Sequence, residues 1–379
     1  MSKELWRSDR TWFKKISAYF KRLIIYLFSY KAKKHTTIDL ASETKIILRT
    51  YDAYGDAIIC TPFLRELKKH FPHLQIDLIV SKKNYDFFKE NIYVNKLYIF
   101  SSSSTLKEYW MIFTKLRGNY NVLIDLWGKI SISKIIAIRL LGVHQILGVS
   151  TEESYRHKYY IGTENLQCYD FVFGRNLSAH HRDRFLDFFN LLGINIDDKS
   201  YDIFYSEVYE KNAIEFIQRY RSYKFIIGFN YKGSRNANTM PVDFVIKTLR
   251  SLSTTYPDFL ILLFFDSRHQ DEAYFIKNKV QGDNVILQFE TKKFLEFCAL
   301  VKQCDVVITT GTSTLHVASA FNKYIIPLYP NAPYYRSFDP FSTLPIKILH
   351  KNNLEDLNPD DLDTIKDTIK EFYIYHKNK

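Results

Sequence analysis

Cysteine is scarce. The 379 residues hold four, Cys60, Cys168, Cys298 and Cys304, with no C-x-x-C pair and no His/Cys cluster at zinc-like spacing. That pattern excludes a disulfide scaffold and a structural zinc site, and four buried, reduced thiols are expected. Glycine and proline are sparse, at 12 and 10 residues, so neither a collagen-like nor a low-complexity disordered chain fits. A membrane-length apolar run is missing. The longest uncharged apolar stretch is Leu23 to Tyr30, well short of the ~20 residues that span a bilayer. The charged, interrupted start lacks a small-residue cleavage site, which argues against a signal peptide. Neither G-x-G-x-x-G nor G-x-x-x-x-G-K-[ST] occurs, which argues against dehydrogenase and P-loop NTPase readings.

What the chain does have is apolar mass and positive charge. Hydrophobic residues make up 46%, with 28 Tyr and 30 Phe, ample for two cores at this length. The formal net charge of +12 implies an anionic partner. Ten basic residues fall in the first 35, among them Lys14, Lys15, Lys21 and Arg22, interleaved with Trp6, Trp12, Phe13, Phe20, Leu23 and Leu27. Apolar residues there recur at three- and four-residue steps. A basic amphipathic helix lying on an anionic membrane surface fits best; an ordinary helix packed on the protein body is the plainer alternative. Zinc, helix-turn-helix and RNA-recognition signatures are lacking, so nucleic acid is not the expected partner.

From residue 44 the chain alternates. Strands are expected at 45–49, 76–80, 96–100 and 122–126, with helices at 57–70, 86–91, 107–116 and 134–141 between them. Residues 150–220 are more polar and carry a helix at 182–192 stopped by Gly193. A second alternation follows, with strands at 225–229, 259–265, 284–288, 306–308 and 324–328. Its helices are expected at 242–252, 270–280, 292–302, from about 314, and at 359–375. Such alternation predicts two successive α/β domains, each on a parallel sheet. The expected division is a basic N-terminal segment over 1–37, domains over 38–210 and 211–350, and a C-terminal helix over 351–379.

Parallel sheets bind ligands where strands hand over to helices. After the first strand comes Thr50 to Asp56. Gly55 frees the backbone, and Asp56 falls at or just before a helix start, as a general base aimed into a cleft or as a simple N-cap. After the strand at 306–308 comes Thr309-Thr310-Gly311-Thr312-Ser313-Thr314-Leu315-His316. Hydroxyls, a glycine and a helix N-terminus together make a site for phosphate or diphosphate; routine hydroxyl capping is the alternative. The loop Asn230 to Asn236 offers Lys232, Ser234 and Arg235 as further phosphate contacts, or as a solvated basic loop.

These residues resemble glycosyltransferase family 9, the bacterial lipopolysaccharide heptosyltransferases. The resemblance rests on Ile46 to Arg49 with Gly55-Asp56-Ala57-Ile58-Ile59-Cys60-Thr61-Pro62 through Leu67, and on Thr312 to Lys323. It implies a GT-B fold, two facing Rossmann-like domains with a central interdomain cleft. It further implies an inverting, metal-independent transferase without a cofactor, working at the cytoplasmic face of the inner membrane. The expected reaction moves a heptose from ADP-heptose to the inner core of lipopolysaccharide. By this resemblance Asp56 is the base, with Tyr54, Gly55 and Arg65 on the acceptor side. Thr310, Gly311, Thr312, Ser313, Thr314 and His316 bind the nucleotide-sugar donor. Two departures stand out. Gly311 occupies a position where the family carries an acid thought to touch the donor sugar. No lysine stands just before Pro241, which shifts the phosphate role to Lys232 or Arg235. A different donor sugar on the same fold, and a non-catalytic glycan- or nucleotide-binding relative, are the alternatives.

Overall fold

The structure is a computed structural model and describes residues 19–20, 23–31, 34–50, 52–100, 106–126, 132–150, 166–233, 238–331 and 337–379. In chain order the first half runs β1 (Lys45–Arg49), α1 (Tyr54–Ile59), α2 (Thr61–His70), β2 (Gln75–Val80), α3 (Lys82–Lys89), β3 (Lys96–Ile99), α4 (Leu106–Leu116), β4 (Val122–Asp125), α5 (Ile132–Leu141), β5 (Gln145–Val149), β6 (Phe171–Phe173) and α6 (His181–Asn190). The second half runs α7 (Glu207–Gln218), β7 (Phe225–Asn230), α8 (Val242–Thr255), β8 (Phe259–Phe264), α9 (Gln270–Val280), β9 (Val285–Leu287), α10 (Phe294–Lys302), β10 (Val306–Thr310), α11 (Ser313–Ala320), β11 (Tyr324–Pro330), β12 (Leu349–Lys351) and α12 (Pro359–Lys377).

The chain divides into two compact units. The first gathers the described residues up to Asp52 with Phe63–Tyr85 and Tyr93–Asp197. Its sheet has the order β3-β2-β1-β4-β5-β6, with every pair parallel. Strands such as Ile46-Ile47-Leu48 are fully buried because helices cover both faces, so they read as apolar runs rather than alternating ones. Phe100, Phe113, Leu116, Leu123, Ile135 and Ile138 share one core on this unit, and Ile25 joins it from a helical stretch over 23–29.

The second unit gathers Ala53–Pro62, Asp86–Ile92 and Asp198–Lys379. Its sheet, β12-β11-β10-β7-β8-β9, is again all parallel. Counted within the unit, its strands follow the order of the first sheet. The helix α12 begins at Pro359 behind an Asn358 cap, whose backbone N–H donates to the Asp361 carboxylate at 2.9 Å. Its Ile365, Ile369 and Phe372 are buried in the same core as β7 and β8.

The elements depart from the sequence expectation at definite places. The single helix expected over 57–70 is two, broken at Cys60. The helix expected over 86–91 lies at Lys82–Lys89. Strands β5, β6 and β12 and helix α7 went unanticipated; β6 and β12 have three residues each, too few for a periodic signal. The basic stretch over 1–18 lies outside the described residues.

Candidate active site

Strand order in the second sheet reverses between β7 and β10, which is where open α/β sheets bind ligands. The carboxyl ends of those two strands are joined by side chains. Asn230, the last residue of β7, donates from Nδ2 to Thr309 Oγ1 at 3.0 Å and to Thr312 Oγ1 at 3.1 Å. Thr309 Oγ1 in turn donates to the Thr310 carbonyl at 3.0 Å. Thr312 is the N-cap of α11, yet its hydroxyl makes no cap bond to the helix and accepts from Asn230 instead. The alternative of routine hydroxyl capping is therefore set aside at Thr312. The first-turn N–H groups of α11 keep their donor capacity and the positive end of the helix dipole. The Thr310 hydroxyl is fully buried and without a hydrogen-bond partner among the described residues. Gly311, Thr312 and Ser313 are partly exposed, while Thr314 and His316 are buried.

Helix α1 belongs to this same unit. Its N-cap is Ala53, with no side-chain cap bond, and Asp56 is the third helical residue. Asp56 is thus not the cap its position allowed, and its partly exposed carboxylate lies in the first turn, where the helix dipole favours negative charge. Gly55 lies against α11. A Cβ there would stand 2.9 Å from His316 Cδ2 and 3.8 Å from Ser313 Cα, so any side chain would force a shift. Tyr54 stacks on Phe294 of α10 with ring centroids 3.9 Å apart and planes at 9°. Burial, then the charge of Asp86, pushes the Tyr54 hydroxyl above its ordinary pKa. Thr61 Oγ1 donates to the Ile58 carbonyl at 2.7 Å and accepts from the Asp202 N–H at 2.9 Å. Asp56 is therefore carried on a short helix fixed, one residue away, onto the helix that begins with the hydroxyl cluster.

The remaining candidates distribute differently. Lys232 Nζ is bound to Glu272 at 2.8 and 2.9 Å, so a phosphate taken up by Lys232 would share it with that carboxylate. Ser234 and Arg235 lie outside the described residues. Arg65 lies in the first unit, its Nε 3.3 Å from the buried Glu66, which also faces Lys69 and His70. All four cysteines are free and buried. Burial pushes the Cys168 thiol up to about 11 and that of Cys304 up to about 12. Among the described residues no group of three His, Cys, Asp or Glu is arranged to hold a metal ion.

Sequence reasoning missed two features. One is Asn230 as the link between strand ends; an asparagine closing a strand carries no signal until its neighbour across the sheet is known. The other is the switch point of the first sheet, between β1 and β4. There Asp125, opposite Arg49 in register, accepts from Lys134 at 2.7 Å and from the Tyr169 hydroxyl at 2.6 Å. Lys134 is fully buried, and burial is the largest influence drawing its pKa down. An intact buried pair of this kind is costly to break from one side.

Two six-stranded parallel sheets of like strand order, each in its own α/β unit, define the GT-B fold of two Rossmann-like domains. No protein-family profile matches the chain. Among named proteins, lipopolysaccharide heptosyltransferase 1 of Campylobacter coli is 23% identical over 308 residues, spanning 77% of this chain and 86% of that protein. Among solved structures, a glycosyl transferase family 9 protein of Veillonella parvula superposes with a TM-score of 0.67 at 15% identity, covering 89% of this chain and 91% of the other. The ADP-heptose lipopolysaccharide heptosyltransferase II of Escherichia coli gives 0.64 at 14% identity, covering 86% and 99%. The resemblance to glycosyltransferase family 9 read from the two motifs is thus borne out in relatives and in fold.

Proposed function

We propose that this chain is an inverting glycosyltransferase that moves a heptose, or a closely related sugar, from ADP-heptose to the inner core of lipopolysaccharide. The observation that carries this reading is Asp56, held on α1 against the uncapped start of α11 at the sheet's switch point. In this reading Asp56 takes the proton from the acceptor hydroxyl as that oxygen forms its bond to the anomeric carbon. The bond to the diphosphate breaks on the opposite face and inverts the centre. Charge gathers on the departing diphosphate. The first-turn N–H groups of α11 and the partly exposed hydroxyls of Thr312 and Ser313 supply donors for it. Lys232, paired with Glu272, sits one residue after Tyr231 on the same end of the sheet and adds a cation once the donor competes for it. Gly311 leaves the donor sugar without the acid that the family resemblance implies. A thermal-shift panel of ADP-heptose, ADP and other nucleotide sugars tests the donor, because a ligand bound only to the folded state raises the melting temperature. ADP-heptose should give the largest shift; a larger shift with a uridine or guanosine sugar sinks the ADP-heptose assignment.

The acceptor in this reading is lipid-anchored, and the N-terminal region suits it. The helical stretch over 23–29 is held to the first unit by Arg139, whose Nε donates to the Phe28 carbonyl at 2.5 Å, and by Lys31, paired with Asp170 at 2.6 Å. Only Ile25 and Ser29 of that stretch are buried, while Leu23, Ile24, Tyr26, Leu27 and Phe28 face outward. A helix apolar on its outer side as well as its inner one needs a second apolar surface. The basic residues before it favour an anionic bilayer at the cytoplasmic face of the inner membrane. None of the described helices is long and apolar enough to cross a membrane. Removing residues 1–37 should release the protein from anionic vesicles and lower use of membrane-bound acceptor more than soluble acceptor. Equal losses on both acceptors count against the surface.

A further inference from the structure

The deepest contact between the two motifs is steric rather than chemical, and it assigns His316 a job that the motif alone does not. His316 is 5% exposed in α11. Its Cδ2 would meet a Cβ at Gly55 at 2.9 Å, closer than real Cβ atoms pack, and its Nε2 would meet it at 3.4 Å. The ring therefore rests directly on the α1 backbone. Tyr201 meets it edge-on at 6.2 Å and 80°, and Phe338 at 6.3 Å and 62°. An imidazole framed by two aromatic rings and pressed on a glycine has a fixed plane and a fixed height.

Helix α1 is short, and its buried half, Ala57, Ile58 and Ile59, lies beyond Asp56. It is six residues long, has no side-chain cap bond, and ends at Cys60. Its ties include the Tyr54–Phe294 stack and the Thr61–Asp202 bond. A helix so short does not keep its place by its own propensity. The residue after Gly55 is Asp56.

We propose that His316 is a positioning residue: its buried ring sets the distance between α1 and α11, and so places the Asp56 carboxylate over the start of α11, without touching donor or acceptor. The proposal rests on the reading of Asp56 as the base and adds the element that aims it. Small displacements of a reacting group are costly; about 1 Å of misplacement lowers a rate ~100-fold.

The test is a double-mutant cycle on kcat, with donor affinity read separately by ADP titration calorimetry and folding by thermal unfolding. Gly55→Ala drives a methyl into the ring and should lower kcat about tenfold or more, with the ADP Kd moving less than about threefold. His316→Ala should also lower kcat with little change in ADP Kd. In the His316→Ala protein the methyl of Gly55→Ala enters vacated space, so there its cost in kcat should shrink to about threefold or less. His316→Leu, similar in bulk and without ring nitrogens, should retain more turnover than His316→Ala. Equal cost of Gly55→Ala in both backgrounds overturns the proposal. So does a rise in ADP Kd matching the fall in kcat, which would make His316 a donor contact. So does a His316→Leu protein no better than His316→Ala, which would give the ring nitrogens the role. The base reading fails separately, if Asp56→Asn keeps full turnover, and in that case the 55–316 coupling still shows in melting temperatures.

Discussion

Asp56 and the hydroxyls around Thr312 are legible in sequence because each stands out where a strand hands over to a helix: a carboxylate beside glycine, and five hydroxyls from Thr309 to Thr314 where one would cap. What surrounds them is not legible. Asn230, Glu272 and Tyr201 come from distant parts of the chain, and ordinary side chains acquire roles only when the sheet brings them together. Glu272 has a measurable consequence. Burial alone raises its pKa, but Lys232 and Tyr231 outweigh burial and hold it below the ordinary 4.5. A carboxylate depressed in the folded state stabilises above its unfolded pKa, and the contribution is lost as pH falls through the folded value. The melting-temperature difference between the native protein and Glu272→Gln should therefore be full at pH 7 and shrink below about pH 4.5. A difference independent of pH contradicts the pairing. The cysteines test burial: with all four thiols covered and their pKa values raised, a disulfide reagent should react with none in the native protein and with four after unfolding.

At the scale of elements, the break between α1 and α2 shows what periodicity hides. Ile58, Ile59, Phe63, Leu64 and Leu67 keep helical spacing through it, so the pattern reads as one helix. Pro62 has no N–H to give the Ile58 carbonyl, and its ring crowds a continuous helix at that point. Thr61 answers the carbonyl with its hydroxyl and ties the corner to Asp202. Thr61 is fully buried. Thr61→Val, equal in shape, strips both bonds and should cost ~1–3 kcal/mol in chemical denaturation. It should also lower kcat, since this corner holds the helix that carries Asp56. A variant as stable as the native protein would show that the corner is held by packing alone.

For the whole molecule, two sheets repeat one strand order, and the proposed site lies at the reversal in the second of them. The apolar runs of β1, β2, β7, β8 and β10 made the repeat visible in sequence, because strands buried on both faces are apolar throughout. The edge strands β6 and β12 were not visible, being three residues long and only partly buried. The grouping of Ala53–Pro62 with the second unit was not visible either. Sequence order puts that segment after the first strand of the first sheet, while its contacts, Gly55 on His316 and Tyr54 on Phe294, are with α11 and α10 of the second unit. The reading that follows is that the base travels with the helix that holds the leaving group. Its most direct test is single-turnover transfer by Asp56→Asn with saturating ADP-heptose and truncated lipopolysaccharide, with the ADP Kd measured on the same protein. The account predicts a rate lowered ~100- to 10,000-fold with ADP affinity nearly unchanged. A variant that transfers at the native rate would contradict it.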